Sequence, residues 1–216
     1  MLLARTGERP DGTPELSMLL VPMDARGIVV GEPYAKMGWR CSDTRPVSFE
    51  GVRIPAANLI GPRGGGLRQM LKMLDGGRIG VASNAIGLAR ACLDAARDYA
   101  RQRQQFGRPL AAFQATQFKL ADMATNIELA RLITRKAARL ADAGRPHRLE
   151  ASHGQAACHA QRQDGRRRGG ADPWRQRFHG RLCGVALLAH RQVLEIGEGT
   201  NEIQKLVIAR EIGAAG

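Results

Sequence analysis

Short apolar runs separated by turn residues dominate the first quarter of the chain. Three of them, LSMLLVPM, GIVVGEPY and RPVSFEGVRIP, lie between residues 16 and 55 and are bounded by glycine and proline. Runs of this length with these boundaries are typical of β-strands. The pattern predicts a small sheet or partial barrel that ends at the glycine-rich segment GPRGGG, residues 61–66.

Beyond the glycine-rich segment, apolar residues recur every three or four positions, which is the period of an amphipathic helix. Three segments show this period and predict helices over about 79–107, 112–143 and 201–212. We expect Asn201 to cap the last helix, with Gln204 three residues further on as in a capping box.

The order of the elements predicts an α+β protein. A partial antiparallel β-barrel or sheet domain over residues 1–61 is expected to precede an antiparallel α-helical bundle over residues 62–216. Two long helices joined by a short connection leave apolar surface uncovered, so the bundle needs a further helix before the last one. The residues in that position, 153–192, lack the helical period.

The segment 153–192 also differs from its surroundings in charge. The 216-residue chain has a net charge of +13 and 44% apolar residues, and this segment alone holds eight arginines against two aspartates, a net +6. The run RQDGRRRGG allows a basic nucleic-acid-binding protein as an alternative, although no aromatic residues are interleaved with it. An incompletely covered bundle equally allows a helical interaction or oligomerisation module.

The cysteines and the hydropathy of the chain bear on its cellular compartment and on metal or membrane binding. The four cysteines show no CxxC spacing, so we expect no metal site and a reducing compartment. No apolar run approaches eighteen residues and the N-terminus lacks a signal-peptide pattern. These features predict a cytoplasmic protein without a membrane partner.

Four segments of the chain resemble the acyl-CoA dehydrogenases: KMGWRCSDTRPVSFEGVRIPAANLIG, LDGGRIGVASNAIGLA, RQQFGRPLAAFQATQFKLADMAT and IGEGTNEIQKLVIARE. The resemblance covers residues 1–152 and 193–216. It implies a flavoprotein oxidoreductase of fatty acid or amino acid catabolism, with FAD as cofactor and an acyl-CoA as substrate. It further implies an electron-transfer flavoprotein as partner, a homodimer or homotetramer, and a helical domain and further strands preceding Met1.

The resemblance assigns the chemistry to Glu198 in the GEGT motif. That glutamate is expected to act as general base, removing the proton α to the thioester while a hydride leaves the β carbon for the flavin. Some relatives carry the base at the position of Gly77, which has no carboxylate here. Substrate contacts are implied for Thr6, Asp75, Arg78 and Gly199. Without the resemblance, Glu198 and Arg78 would read as a loop acid and a solvated helix charge.

The same resemblance assigns the cofactor contacts. Residues on the two long helices and their connection match positions that bind FAD of the neighbouring subunit, and an arginine suits its phosphates because the guanidinium pairs with phosphate oxygens. Two residues just beyond the base match further FAD contacts. The cofactor-binding residues are therefore expected to be Arg103, Phe106, Gln114, Thr200 and Glu202.

A paired frameshift accounts for the anomalous segment 153–192. Translated in the neighbouring frame, ADPWRQRF at 171–178 can read QIHGGNGF, similar to the family's QIHGGxGF, and HGQA at 153–156 can read MAKL. Register returns at Val193 with no change in length, so two compensating indels are expected in the DNA. Because the glycine-rich phrase is lost, the chain as translated is expected to bind FAD poorly or not at all and to be inactive.

Overall fold

The computed structural model describes residues 1–36, 38–167, 194 and 196–214, with the side chains of residues 158–167 left undescribed. The chain divides into two compact units, Met1–Leu74 and Asp75–Gly216. The first carries the N-terminal strands and the start of the first helix, and the second carries the rest of that helix and the helices after it.

Five strands lie in the first unit: β1 (Leu2–Glu8), β2 (Pro14–Leu19), β3 (Ile28–Val30), β4 (Val47–Phe49) and β5 (Leu59–Ile60). Antiparallel pairing joins β1, β2 and β5 in that spatial order, and β3 pairs separately with β4. A sheet therefore forms as expected. A closed barrel is not formed by the described residues, because β1 and β5 each pair with β2 alone and leave two open edges.

The first helix begins in close contact with the sheet of the first unit. Helix α1 (Gly66–Gln102) starts directly against β2, in which Ser17 and Met18 are buried. A Cβ added at Gly66 would lie 2.6 Å from the carbonyl carbon of Ser17. Only glycine permits this approach, which explains why the glycine-rich segment ends where the helix starts.

The second unit is helical. A short hairpin follows α1, with two strands of two residues each, β6 (Gln104–Gln105) and β7 (Arg108–Pro109). Three described helices come after it: α2 (Gln114–Asp142), α3 (Arg148–Arg167) and α4 (Asn201–Glu211). Helix α2 packs against α3, and α3 packs against α4. The buried stripe of α2 consists of Ile127, Ala130, Thr134 and Ala137, all of which the helical period predicts.

Two helix starts differ from the predictions. Helix α1 begins at Gly66 and not near 79. Its start was predicted too late because its first turns carry exposed Leu67, Met70 and Leu71 and so lack the regular buried stripe on which the prediction rested. Helix α4 is capped by Thr200, whose hydroxyl accepts a hydrogen bond from the Ile203 backbone N–H at 3.4 Å. Asn201 is thus the first helical residue, and the predicted cap was wrong by one position.

The anomalous segment begins inside a helix. Helix α3 continues to Arg167 although its residues from 153 onward lack the amphipathic period. Its first turns pack well, since Ala151, Ser152 and Gln155 are buried. The proposed alternative reading of residues 171–178 lies outside the described residues.

Candidate active site

Glu198 lies in the turn before α4 with a backbone conformation that is unusual for a residue with a side chain. Its φ is 58°, and that of Gly199 is 107°. The half-buried Glu198 side chain reaches back to α1, where a Cβ built on Gly77 would lie 2.5 Å from its Oε2 and 2.7 Å from its Cδ. The carboxylate therefore occupies the space that any side chain at position 77 would need.

Asp75 and Arg78 form a buried ion pair one turn apart on α1. The Arg78 Nη1 donates to the Asp75 Oδ1 at 3.0 Å, and the exposed fractions of the two residues are 4% and 7%. Arg78 also donates to the hydroxyl of buried Ser152 on α3, at 3.3 Å. The two residues to which the resemblance assigns substrate contacts are thus paired with each other between two helices.

A second arginine shares the Asp75 carboxylate. The Arg148 Nε lies 3.1 Å from the Asp75 Oδ2, and its Nη1 lies 3.5 Å from the Glu211 Oε1 at the end of α4. Arg148 is the first residue of α3, where the helix dipole disfavours a positive charge. Arg148 was not predicted from the sequence, in which a positive charge at the start of a helix is the one indication that it needs a carboxylate partner.

Charges of both signs surround Arg78, namely the carboxylates of Asp75 and Glu198 and the guanidinium of Arg148. Burial lowers the pKa of Arg78, the nearby Asp75 and Glu198 carboxylates oppose that effect, and Arg148 adds to it. The guanidinium remains a cation at any physiological pH. Arg78 therefore supplies a fixed positive charge within electrostatic reach of Glu198.

The hairpin after α1 carries two of the predicted cofactor contacts. Phe106 and Gly107 form its turn with φ values of 51° and 74°, and the Phe106 side chain is 92% exposed. The Arg103 carbonyl accepts a hydrogen bond from the Leu110 N–H, which brings exposed Arg103 beside the approach to α2. Exposed Gln114 is the first residue of α2, a helix without a side-chain cap.

Thr6 lies in the first unit, in a polar network on β1 and β2. Its hydroxyl donates to the Glu15 Oε1 at 2.9 Å and lies 2.7 Å from the Ser17 Oγ. Arg63 pairs with the same Glu15 oxygen at 2.6 Å. Hydrogen bonds from Arg63 and Thr6 lower the pKa of Glu15. The Thr6 hydroxyl is therefore engaged within its own sheet.

Thr200 and Glu202, the other two predicted cofactor contacts, lie at the start of α4. The Thr200 hydroxyl caps the helix, and Glu202 is exposed in the first turn. Hydrogen bonds from its own backbone N–H and from Thr200 lower the pKa of Glu202. Both residues follow Glu198 so closely that the turn fixes their distance from it.

The described part of the chain contains no group of three or more His, Cys, Asp or Glu side chains that could hold a metal ion. Within the same residues, no helix combines the length and apolar character needed to cross a bilayer.

A family model and curated relatives both connect this chain with the acyl-CoA dehydrogenases. Residues 64–165 match the family model described as acyl-CoA dehydrogenase, C-terminal domain. The chain is 45% identical to the probable acyl-CoA dehydrogenase YngJ of Bacillus subtilis, over 98% of the chain and 56% of the relative. It is 41% identical to the mitochondrial short-chain specific acyl-CoA dehydrogenase of Rattus norvegicus, over 90% of the chain and 47% of the relative.

Similarity of structure agrees with similarity of sequence. The butyryl-CoA dehydrogenase of Megasphaera elsdenii superimposes with a TM-score of 0.86 at 32% identity, over 97% of this chain and 55% of the other. The chain therefore belongs to the acyl-CoA dehydrogenase family, in which it corresponds to the C-terminal part. It spans about half the length of the curated relatives that it matches.

Proposed function

We propose that this chain is the C-terminal part of an FAD-dependent acyl-CoA dehydrogenase and that Glu198 is its general base. The observation that carries the proposal is the approach of the Glu198 carboxylate to α1 at Gly77, beside the buried Asp75–Arg78 pair. The two positions at which this family carries its base meet in space here. One of them holds a carboxylate and the other a glycine that makes room for it.

The proposed reaction assigns a role to each residue of this cluster. The Glu198 carboxylate accepts the proton from the carbon α to the thioester carbonyl. Arg78 contributes a fixed positive charge beside it, while Asp75 and Ser152 hold the guanidinium in place. Gly199 leaves the backbone free of a side chain next to the base, where substrate must approach. FAD, when bound, supplies the acceptor for the hydride.

The described residues fit the cofactor in chemistry. Exposed Arg103 offers a guanidinium for phosphate oxygens, and the uncapped start of α2 at Gln114 offers backbone N–H groups and the positive end of a helix dipole. Phe106 offers an exposed aromatic ring. These residues would hold the phosphates and an aromatic face, and Thr200 and Glu202 would contact FAD close to the base.

The remaining assignments rest on membership of the family. Acyl-CoA binding at Thr6, Asp75 and Arg78, an electron-transfer flavoprotein as electron acceptor, and a homodimer or homotetramer are proposed for the whole protein. A cytoplasmic location is also proposed, by analogy with the Bacillus subtilis relative, whereas the Rattus norvegicus relative is mitochondrial.

Flavin binding and its reduction by substrate test this function. We expect the protein expressed from resequenced DNA, with any coding sequence upstream of Met1, to purify with the visible absorbance of oxidised flavin. Anaerobic addition of short, medium or branched acyl-CoA should bleach that absorbance. A protein that stays colourless in excess FAD, or whose flavin is reduced by no acyl-CoA of the series, would contradict the proposal.

The 216-residue chain serves as the comparison in that experiment. Because it lacks the glycine-rich phrase, we expect it to retain little flavin when purified in excess FAD. Stoichiometric flavin on this chain would show that residues 153–192 as translated are compatible with cofactor binding, and would remove one argument for the frameshift.

Gly77 offers a second test, through the space that it leaves open. In Gly77→Ala the new Cβ would collide with the Glu198 carboxylate, which must swing aside because it is the mobile end of its side chain. We expect turnover to fall about 100-fold, as for a misplaced catalytic group. Folding should be unaffected or slightly improved, since alanine favours a helix interior over glycine.

The matched control for Gly77→Ala is Gly76→Ala on the same helix. A Cβ at Gly76 meets nothing within 4 Å, so the helix gains the same alanine without touching Glu198. Rates and thermal melting of the two flavin-bound variants should be compared. Equal turnover in both would mean that the position of the Glu198 carboxylate does not matter.

A further inference from the structure

The turn that carries Glu198 needs a specific set of contacts to keep its shape. A residue with a side chain at φ 58° occupies the left-handed region, which side chains disfavour, and the neighbouring Gly199 is also at positive φ. Such a conformation persists only where surrounding groups hold it. The carbonyl groups of the turn show which groups do so.

Gln155, on α3, provides the first of these contacts. Its side chain is completely buried, and its Nε2 donates to the Gly197 carbonyl at 2.9 Å and to the Gly199 carbonyl at 3.0 Å. Both hydrogens of the amide are therefore used on the turn.

Gln204, on α4, provides the second contact. It follows the turn in the chain, whereas Gln155 precedes it. Gln204 is also completely buried, and its Nε2 donates to the Glu198 carbonyl at 3.3 Å and to the Gly199 carbonyl at 3.2 Å. The reverse orientation of either amide would bring Oε1 against carbonyl oxygens, so the donating orientation is the one that the surroundings allow.

We propose that Gln155 and Gln204 form an amide clamp that positions the Glu198 carboxylate. Together they bind the three consecutive carbonyls of residues 197–199 and thereby fix the peptide planes on both sides of Glu198. Because the two glutamines come from α3 and α4, the packing of these helices sets the direction of the Glu198 side chain toward Gly77. The clamp rests on the proposed function, in which Glu198 is the base, and neither glutamine touches the reacting atoms.

The clamp predicts that any side chain at position 155 that donates hydrogen bonds to the carbonyls of Gly197 and Gly199 can replace glutamine. Gln155→Leu keeps a buried side chain of similar size without donors. Gln155→Lys keeps donors for the same carbonyls and is the residue that the neighbouring reading frame encodes in MAKL. Gln117→Leu, at an exposed glutamine of α2 that bonds only to the Ala111 carbonyl among the contacts described, is the control for a lost amide.

Two measurements separate positioning from a general structural role. The first uses the 216-residue chain: a glutamate-specific protease should cut the Glu198–Gly199 bond about tenfold faster or more in Gln155→Leu, because loss of two hydrogen bonds opens the turn. The second uses the flavin-bound protein, whose resequenced DNA is expected to encode lysine at position 155. Leucine at that position should lower kcat about tenfold or more while KM for the acyl-CoA stays constant. Gln155→Lys should leave the cleavage rate of the 216-residue chain unchanged, and Gln117→Leu should change neither measurement.

Each other result decides against one of the two proposals. A folded protein with leucine at position 155 whose cleavage and kcat are unchanged overturns the clamp, and a full loss of kcat in Glu198→Gln would then leave the proposed function standing. Faster cleavage in Gln155→Leu, together with full turnover in Glu198→Gln, keeps the clamp and removes the base. If Gln155→Leu does not fold, Gln155→Lys decides: a folded lysine variant that is cut as fast as a denatured chain overturns the clamp.

Discussion

Replacing Glu198 by glutamine is expected to reduce acyl-CoA turnover by about 10²–10⁴-fold, the range over which a general base contributes. Glutamine fills the same space above Gly77 but cannot accept the substrate proton. Among the neighbouring groups described, Gly77 has no carboxylate, and Asp75 is engaged by Arg78 and Arg148. No other described acid in the cluster is placed to take over.

The measurement compares steady-state rates and flavin content of the variant with those of the parent protein. Flavin content should be unchanged, which distinguishes a lost base from a lost cofactor. Glu128→Gln, at a glutamate of α2 whose side chain is 47% exposed and paired with Arg131, is the matched control and should retain full turnover. Retention of the parent rate in Glu198→Gln would show that proton abstraction is carried out elsewhere.

Replacing Asp75 by alanine is expected to lower the free energy of unfolding by about 3–5 kcal/mol, the usual cost of leaving a buried charge without its partner. Arg78 is 4% exposed and would keep only the Ser152 hydroxyl, at 3.3 Å, among its described hydrogen bonds. The buried guanidinium would then have lost its hydrogen-bonded carboxylate partner. Urea unfolding of variant and parent measures the difference.

Arg148→Ala is the control for Asp75→Ala, since it breaks an ion pair on the same carboxylate. The Arg148 side chain is 49% exposed and its charge is largely solvated, so we expect a loss of about 1 kcal/mol or less. Combining Asp75→Ala with Arg78→Met should recover part of the stability, because no buried charge is then left unpaired. An Asp75→Ala variant as stable as Arg148→Ala would show that the buried pair is not stabilising.

The hydrophobic pattern predicted the order and type of the elements because the signal is local. The strand at 14–19 overlaps the first apolar run, the strands at 28–30 and 47–49 lie within the other two, and the buried residues of α2 follow its helical period. Helix starts were less predictable. The first turns of α1 have exposed apolar residues, and Thr200 and Asn201 are adjacent residues that can both cap a helix.

The candidate site was predicted only in part. Glu198, Asp75 and Arg78 came from a resemblance of motifs, and their roles stay predictions. The contacts of Gln204 differ from the expected ones, since its amide binds the carbonyls of the turn before α4. Gln155 and Arg148 lie in segments that carried no motif, so no sequence signal connected them with the turn or with Asp75.

The sequence by itself determined where strands give way to helices and which face of α2 is buried, because burial of apolar residues repeats with the period of each element. The tertiary structure decided which polar groups meet: Glu198 with the backbone at Gly77, Arg148 with Asp75, and two glutamines with one turn. Polar contacts are directional and join residues far apart in the chain. Their partners exist only after the helices have packed.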